Sequence, residues 1–416
     1  MTMERRNELF LQAYRCALKG ERLPIQEDVT GEEWTAILDI ARIHNLLPMI
    51  FEAVYDQPGL KDMPVAASCR GAVRREVFSQ TMRTVEFLQL YGKLRRAGVT
   101  PLVVKGMVCR NLYPLPDHRP SGDEDVLIPP EQFETAHRVM LGFGMTTEEP
   151  EENFESKYEI PYRKAGSSLY IELHKHLFQP RSGAYGHLNG YFEGVHDRAV
   201  EEKIQGAAIL SMAPTDHLFY LICHAFKHFI HSGFGIRQVS DINLYATRYG
   251  SRIDWAQVQE NCREIKAEKF AAAMFRIGEN YLVFDPVSAC YPPQWREILV
   301  DEGPMLADLL AAGVYGASDM SRKHSSNITL TAVENQKQGK NASGGVLKSL
   351  FPGAKDLEGR YPYLKKHRVL LPVAWASRII TYGRETASGT GNSAGESIRI
   401  GTERVALMKQ YGILDE

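Results

Sequence analysis

Apolar residues recur at helical spacing through the first 98 residues. The pattern is clearest from Arg74 to Arg96 (Val77, Met82, Val85, Leu88, Leu90, Leu94), with Gly98 as a stop. It then changes. Val99–Val104 is a short run rich in β-branched residues and predicts a buried strand ending at Lys105-Gly106. Met107–Tyr113 predicts a short helix, and Pro114, Pro116 and Pro120 predict a loop. Asp125–Ile128 predicts a second strand, closed by Pro129-Pro130 and followed by a helix from Glu131 to about Leu141. Tyr158–Lys164 and Ser168–His176 predict two more strands about a turn at Ala165-Gly166. Helical period returns after residue 214. Thr215 is the expected N-cap of a helix through His228, Asp254-Trp255 opens another, and Glu268–Val283 and Ile398–Tyr411 read as two more.

Together these predict an α/β (α+β) chain: a helical region over 1–98, a small mixed-sheet core over 99–214, and a helical region over 215–416. Segments 323–348 and 385–397 are rich in Ser, Asn, Gly and other polar residues and read as loose or linker-like.

Composition narrows the classes. Lys plus Arg is 49 and Asp plus Glu is 51 among 416 residues, a balance that argues against broad nucleic-acid binding through a basic surface. No apolar run reaches the length of a membrane span, and the N-terminus shows no signal-peptide pattern. Six scattered cysteines with no Cys-x-x-Cys pair read as reduced thiols, which points to a cytoplasmic protein.

The candidate chemistry lies in KGMVCRNLYPLPDHRPSGDEDVLI, from Lys105 to Ile128. A strand delivers Gly106 to a helix start, where a phosphate can approach backbone N–H groups. Asp123 and Asp125, two apart on a strand, leave the same face and repel unless a cation neutralises them; Mg²⁺ favours such oxygen ligands. Glu172 is a third available acid, and alternation puts Tyr170, Glu172 and His174 on one face of the last core strand. Taken singly, each feature also fits a plain turn or a solvated acidic loop.

The ordered set resembles the polymerase-beta-like nucleotidyltransferase superfamily, and within it the bacterial group of uncharacterised nucleotidyltransferases. The matching features are Lys105-Gly106, Arg119 ahead of Asp123-x-Asp125, Glu172-Leu173-His174, and the histidine-bearing stretch His224–His231. Further likeness runs through GFGIRQVSDINLY, Ile253-Asp254-Trp255 and RYPYLKKHRVLLPVAW, so that it is expected over about residues 35–410. The resemblance implies two-metal transfer of a nucleotidyl group from an NTP, with Asp123 and Asp125 holding both Mg²⁺ (or Mn²⁺) ions and Glu172 joining the catalytic one and helping to deprotonate the acceptor. One departure is Met107, where many relatives carry a phosphate-binding serine; Lys105, Arg110, Arg119 or Ser121 are candidates to replace it. The acceptor class implied is a small molecule, a peptide or a protein hydroxyl. A tRNA-directed transferase, a glycosyl or phosphoryl transferase, and a non-catalytic nucleotide- or partner-binding scaffold remain open on the same fold.

His224, Lys227, His228 and His231 share one helix face and are candidate substrate contacts. They lack the glutamate of His-Glu-x-x-His, which weighs against a zinc hydrolase. His174 is either a substrate or ligand-supporting contact or a satisfied structural histidine. Arg237 and Asp241 are spaced to pair along a helix, or to orient the histidine face. The basic, aromatic stretch 361–384 reads as a surface helix or as a docking face for a partner.

Overall fold

The computed structural model describes residues 3–313, 320–337, 339, 353–357, 361–377 and 394–415. The N-terminal region is helical as its periodicity predicts: α1 (Met3–Lys19), α2 (Gly31–Ile43), α3 (Leu47–Val54) and the long α4 (Pro64–Arg96). A capping box opens α2, with Thr30 accepting from the Glu33 N–H while Glu33 accepts from the Thr30 N–H. Pro64 starts α4, and Gly98 at φ 83° turns the chain out of it.

Five short strands form a mixed sheet: β1 (Leu102–Val103), β2 (Glu124–Leu127), β3 (Met145–Thr146), β4 (Glu159–Lys164) and β5 (Tyr170–His174), in the order β1-β2-β5-β4-β3. The β2–β5 pair is parallel and the other pairs are antiparallel. Between these strands lie α5 (Gly106–Arg110) and α6 (Phe133–Gly142). A separate hairpin, β6 (Val200–Ile204) and β7 (Ala207–Ser211), turns through Gln205-Gly206, both at positive φ. Neither β3 nor this hairpin is marked in the hydrophobic pattern.

The later helices close over the sheet: α7 (Pro214–His231), α8 (Ile236–Tyr249), α9 (Trp255–Glu264) and α10 (Glu268–Tyr281). His217 tacks α7 to the end of β1, its Nε2 lying 2.6 Å from the Val104 carbonyl. Helix α7 begins one residue before the expected cap because Pro214 takes the first helical position; the Thr215 hydroxyl instead accepts the Asp254 N–H at the start of α9. One apolar cluster runs from Leu9 to Leu414 through all three segments.

The polar segment beginning at 323 is helical as far as Lys337, within a helix Met320–Lys337 that buries Ile328, Ala332 and Val333. Its apolar face is narrow and easily masked by the Ser, Asn and Lys around it. Residues 338 and 340–348 lie outside the described residues, as do 385–393; residues 394–397 open the helix Ala394–Gln410. Arg404 of that helix donates to the Phe229 and His231 carbonyls, satisfying the C-terminal end of α7. Among the described residues no helix is long and apolar enough to cross a membrane.

Candidate active site

The register of β2 with β5 builds the site. Asp125 pairs with Glu172 and Leu127 with His174, while β4 brings Glu159 opposite His174. Alternation then sends Asp123, Asp125, Glu172 and His174 into one cleft roofed by α7. The cleft is about 230 Å³ and also takes Lys105 from between β1 and α5, Tyr158 just before β4, Glu159 from β4, Leu177, and Tyr220, His224, Lys227 and His228 from α7. The acids and the histidine helix, distant in sequence, thus face each other.

Asp125 is the centre of the cluster. Lys105 Nζ lies 2.9 Å from its Oδ2, and His174 Nε2 lies 3.2 Å from its Oδ1. Burial opposes ionisation of Asp125, but the Lys105 charge and the His174 hydrogen bond outweigh it and hold the carboxyl well below its usual range. Burial likewise opposes the His174 imidazolium, yet its hydrogen bonds to Asp125 and Glu172 raise it to about 10. Asp123 is shifted up, chiefly by burial. On the opposite wall, His224 and His228 are driven well below the ordinary histidine value by burial and by neighbouring lysine charge, so both are neutral. Burial also lowers Lys227.

The donor set suits a divalent cation. One ligand atom each from Asp125, Glu172 and His174 lie within 4.8 Å of one another, the sole such group among the described residues. His174 therefore stands in this geometric cluster where Asp123 is expected. The histidines of α7 form no comparable group, and His231 lies beyond the cleft lining.

Several expected phosphate contacts are placed elsewhere. Glu124 points to the face of β2 opposite Asp123 and Asp125 and is fully buried. Its Oε2 accepts the Met107 N–H at 2.9 Å, and its Oε1 pairs with Arg110. Arg110 also donates to Ser121 and to Thr84 on α4, and Gln80 of α4 accepts the Ser121 N–H. An internal carboxylate thus occupies the N-terminus of α5, and Gly106, Arg110 and Ser121 serve that buried network, outside the cleft lining. It also explains α4: Gln80 and Thr84 turn inward for this network while Met82 and Val85 stay exposed, the reverse of the apolar pattern.

Arg119 is similarly committed. It is 2% exposed and makes a two-pronged ion pair with Asp241 of α8, which also accepts from the Tyr113 hydroxyl. Asp241 consequently does not pair with Arg237, whose guanidinium donates to the Pro120 carbonyl. These contacts clamp both ends of the Pro-rich loop that leads into β2. Lys105 has a neighbour between the acids that the sequence did not announce, since its ammonium meets Asp125 directly.

Tyr158, Glu159, Leu177 and Tyr220 were not evident from the sequence. Glu159 was within reach: a β4–β5 hairpin about Ala165-Gly166 necessarily brings the start of β4 beside the Glu172–His174 end of β5.

Carboxylates thus face lysines and imidazoles across one cleft at strand ends, an arrangement suited to a divalent cation. The chain belongs to the family described as "Uncharacterised nucleotidyltransferase", which matches residues 30–282. The match covers all of the cleft and stops short of the C-terminal likeness expected to about residue 410. No curated protein and no solved structure matches the chain. The protein is thus a nucleotidyltransferase, a transferase of phosphorus-containing groups, and the family implies an NTP as donor.

Proposed function

We propose that the protein moves a nucleotidyl group from an NTP, with Mg²⁺ or Mn²⁺, to a hydroxyl of a small molecule, a peptide or a protein. The observation that carries this reading is the pairing of Asp125 with Glu172 in adjacent parallel strands, facing Lys227 and His228 of α7. Asp123, Asp125 and Glu172 are the acids of the reaction, with His174 joining Asp125 and Glu172 around the cation. The bound cation supplies charge neutralisation for the triphosphate and for the developing alkoxide. Glu172, the most open of the cluster's ligands, takes the acceptor proton; the acceptor oxygen bonds to the α-phosphorus and pyrophosphate leaves. Lys227, His224 and His228 face the departing phosphates, a role for which Gly106, Arg110, Arg119 and Ser121 are poorly placed. A balanced overall charge supports a compact acceptor over a long nucleic acid. All six cysteines are unpaired, in keeping with a cytoplasmic setting. Exposed Val369 and Val373 beside exposed Lys366 and Arg368 support a partner-docking role for the described part of 361–384; residues 378–384 lie outside the described residues.

One observation favours a second reading. Glu124 fills the helix start where a phosphate was expected, which suits a binding scaffold or a different activated donor. Thermal unfolding with each NTP, with and without Mg²⁺ or Mn²⁺, separates the two. The transferase reading expects NTP and metal together to stabilise more than either alone, and Asp125→Asn to abolish the excess. Stabilisation by NTP that ignores both EDTA and Asp125→Asn, with no nucleotide mass added to any product, transfers the case to the second reading.

A further inference from the structure

Metal-assisted transfer at paired carboxylates is commonly served by two divalent ions, about 3.5–4 Å apart, sharing a bridging carboxylate. Asp125 is central to the acidic cluster, and its two oxygens face different neighbours. Oδ1 faces His174 Nε2 at 3.2 Å, on the side of Glu172. Oδ2 faces Lys105 Nζ at 2.9 Å. We infer that the Lys105 ammonium stands in for one of the two ions, so that the protein alone takes a single divalent cation, at Asp125, Glu172 and His174. This inference rests on the nucleotidyl-transfer reading above and narrows its metal requirement.

Three features hold Lys105 in that position. Its side chain is only 10% exposed, so solvent does not compete for the ammonium. His224 Nε2 lies 3.2 Å from Nζ on the far side; being neutral, the imidazole accepts a hydrogen bond from the ammonium. The backbone is pinned as well, since the Lys105 carbonyl accepts the Val108 N–H at 2.8 Å in the first turn of α5. The ammonium is thus held between a strand-borne carboxylate and a helix-borne imidazole. A dication arriving at Oδ2 would have to displace it and break both contacts. At the Oδ1 side the neighbour is His174, whose imidazole offers a nitrogen ligand; an ammonium offers none.

The arrangement gives Lys105, His174 and Asp123 separate parts. Lys105 is a fixed univalent charge that a chelator cannot remove. His174 is a ligand, and a nitrogen donor suits Mn²⁺ better than Mg²⁺. Asp123 lies in the same cleft but outside the three-residue group.

The test counts ions on the full chain with Mn²⁺ alone, following free Mn²⁺ by electron paramagnetic resonance. The wild type is expected to bind one Mn²⁺, Lys105→Met two, and Lys105→Arg, which keeps the charge, one. His174→Ala is expected to weaken the wild-type ion at least about tenfold. Two ions on the wild type, or one on a folded Lys105→Met, overturn the inference. If Lys105→Met does not fold, the wild-type count together with the His174→Ala shift decides it. Two wild-type ions leave nucleotidyl transfer standing and remove only the lysine substitution. No ion on the wild type, with NTP binding insensitive to EDTA, removes both.

Discussion

Replacing Gly106 by alanine should unfold the site before it touches the nucleotide. Gly106 sits at φ +29°, a conformation that costs an L residue about 1–3 kcal/mol. A methyl group there would also lie 2.9 Å from Glu124 Cδ and overlap its Oε2. That neighbour cannot step aside: Glu124 is fully buried, pairs with Arg110 and accepts the Met107 N–H. Overpacking of this kind adds about 1–3 kcal/mol, and straining the Met107 hydrogen bond adds about 1 kcal/mol more. The expected loss is about 4 kcal/mol, a large part of the ~5–15 kcal/mol that holds a folded domain. Urea unfolding followed by tryptophan fluorescence should show a lower midpoint at an unchanged slope. A double-mutant cycle isolates the cause. With Glu124→Ala already present the clash is gone, so Gly106→Ala should cost only its backbone part, leaving a coupling of about 2–3 kcal/mol. Suppose instead that Gly106→Ala keeps its stability within about 1 kcal/mol and loses NTP affinity. Gly106 would then face phosphate, and the assignment of the α5 N-terminus to Glu124 would be wrong.

Three other outcomes are expected. Glu172→Gln should keep NTP affinity within about tenfold while turnover falls at least about a hundredfold, measured by labelling with the preferred NTP; equal losses in both would make Glu172 a binding residue only. Asp241→Asn leaves Arg119 buried without its counter-charge and should cost about 3–5 kcal/mol in urea unfolding, and an unchanged midpoint would refute the buried pair. His44 and His217 are each pushed down to about 4, chiefly by burial, against about 6.5 in the unfolded chain. Between these values the unfolded chain binds protons the folded one excludes, so stability is retained above pH 6.5 and lost as pH falls toward 4. The loss is about 3 kcal/mol for each fully buried ring. His217→Asn should flatten the difference between melts at pH 7 and pH 5, and an unaltered difference would count against the buried neutral ring.

Local pattern sufficed for most of the frame. The helical first 98 residues, the strands carrying Asp125 and Glu172, the turn at Ala165-Gly166 and the cap at Asp254 all follow from spacing and propensity within a dozen residues. The acids were legible because alternation on a strand is a local rule, and it places Asp123 and Asp125 on one face whatever lies beyond. The histidines of α7 were legible as one face for the same reason. What escaped were elements whose stability is borrowed. Two-residue β3 and the β6–β7 hairpin carry too few apolar positions to announce themselves, and the helix Met320–Lys337 is held by α7 and the Ala394–Gln410 helix more than by its own composition.

Charge partners were decided only by the tertiary structure. Arg110, Arg119, Ser121 and Lys105 look interchangeable as phosphate contacts in sequence, since each is a donor near Asp123-x-Asp125. Folding sorts them by what arrives from elsewhere: Glu124 from the far face of the same strand takes Arg110 and Ser121, Asp241 from α8 takes Arg119, and Asp125 with His224 from α7 takes Lys105. A buried charge must find its partner within a few ångströms or pay heavily for desolvation. Periodicity states which face a residue leaves from, but an ion pair depends on distances between segments 14 to 122 residues apart, which no local pattern encodes.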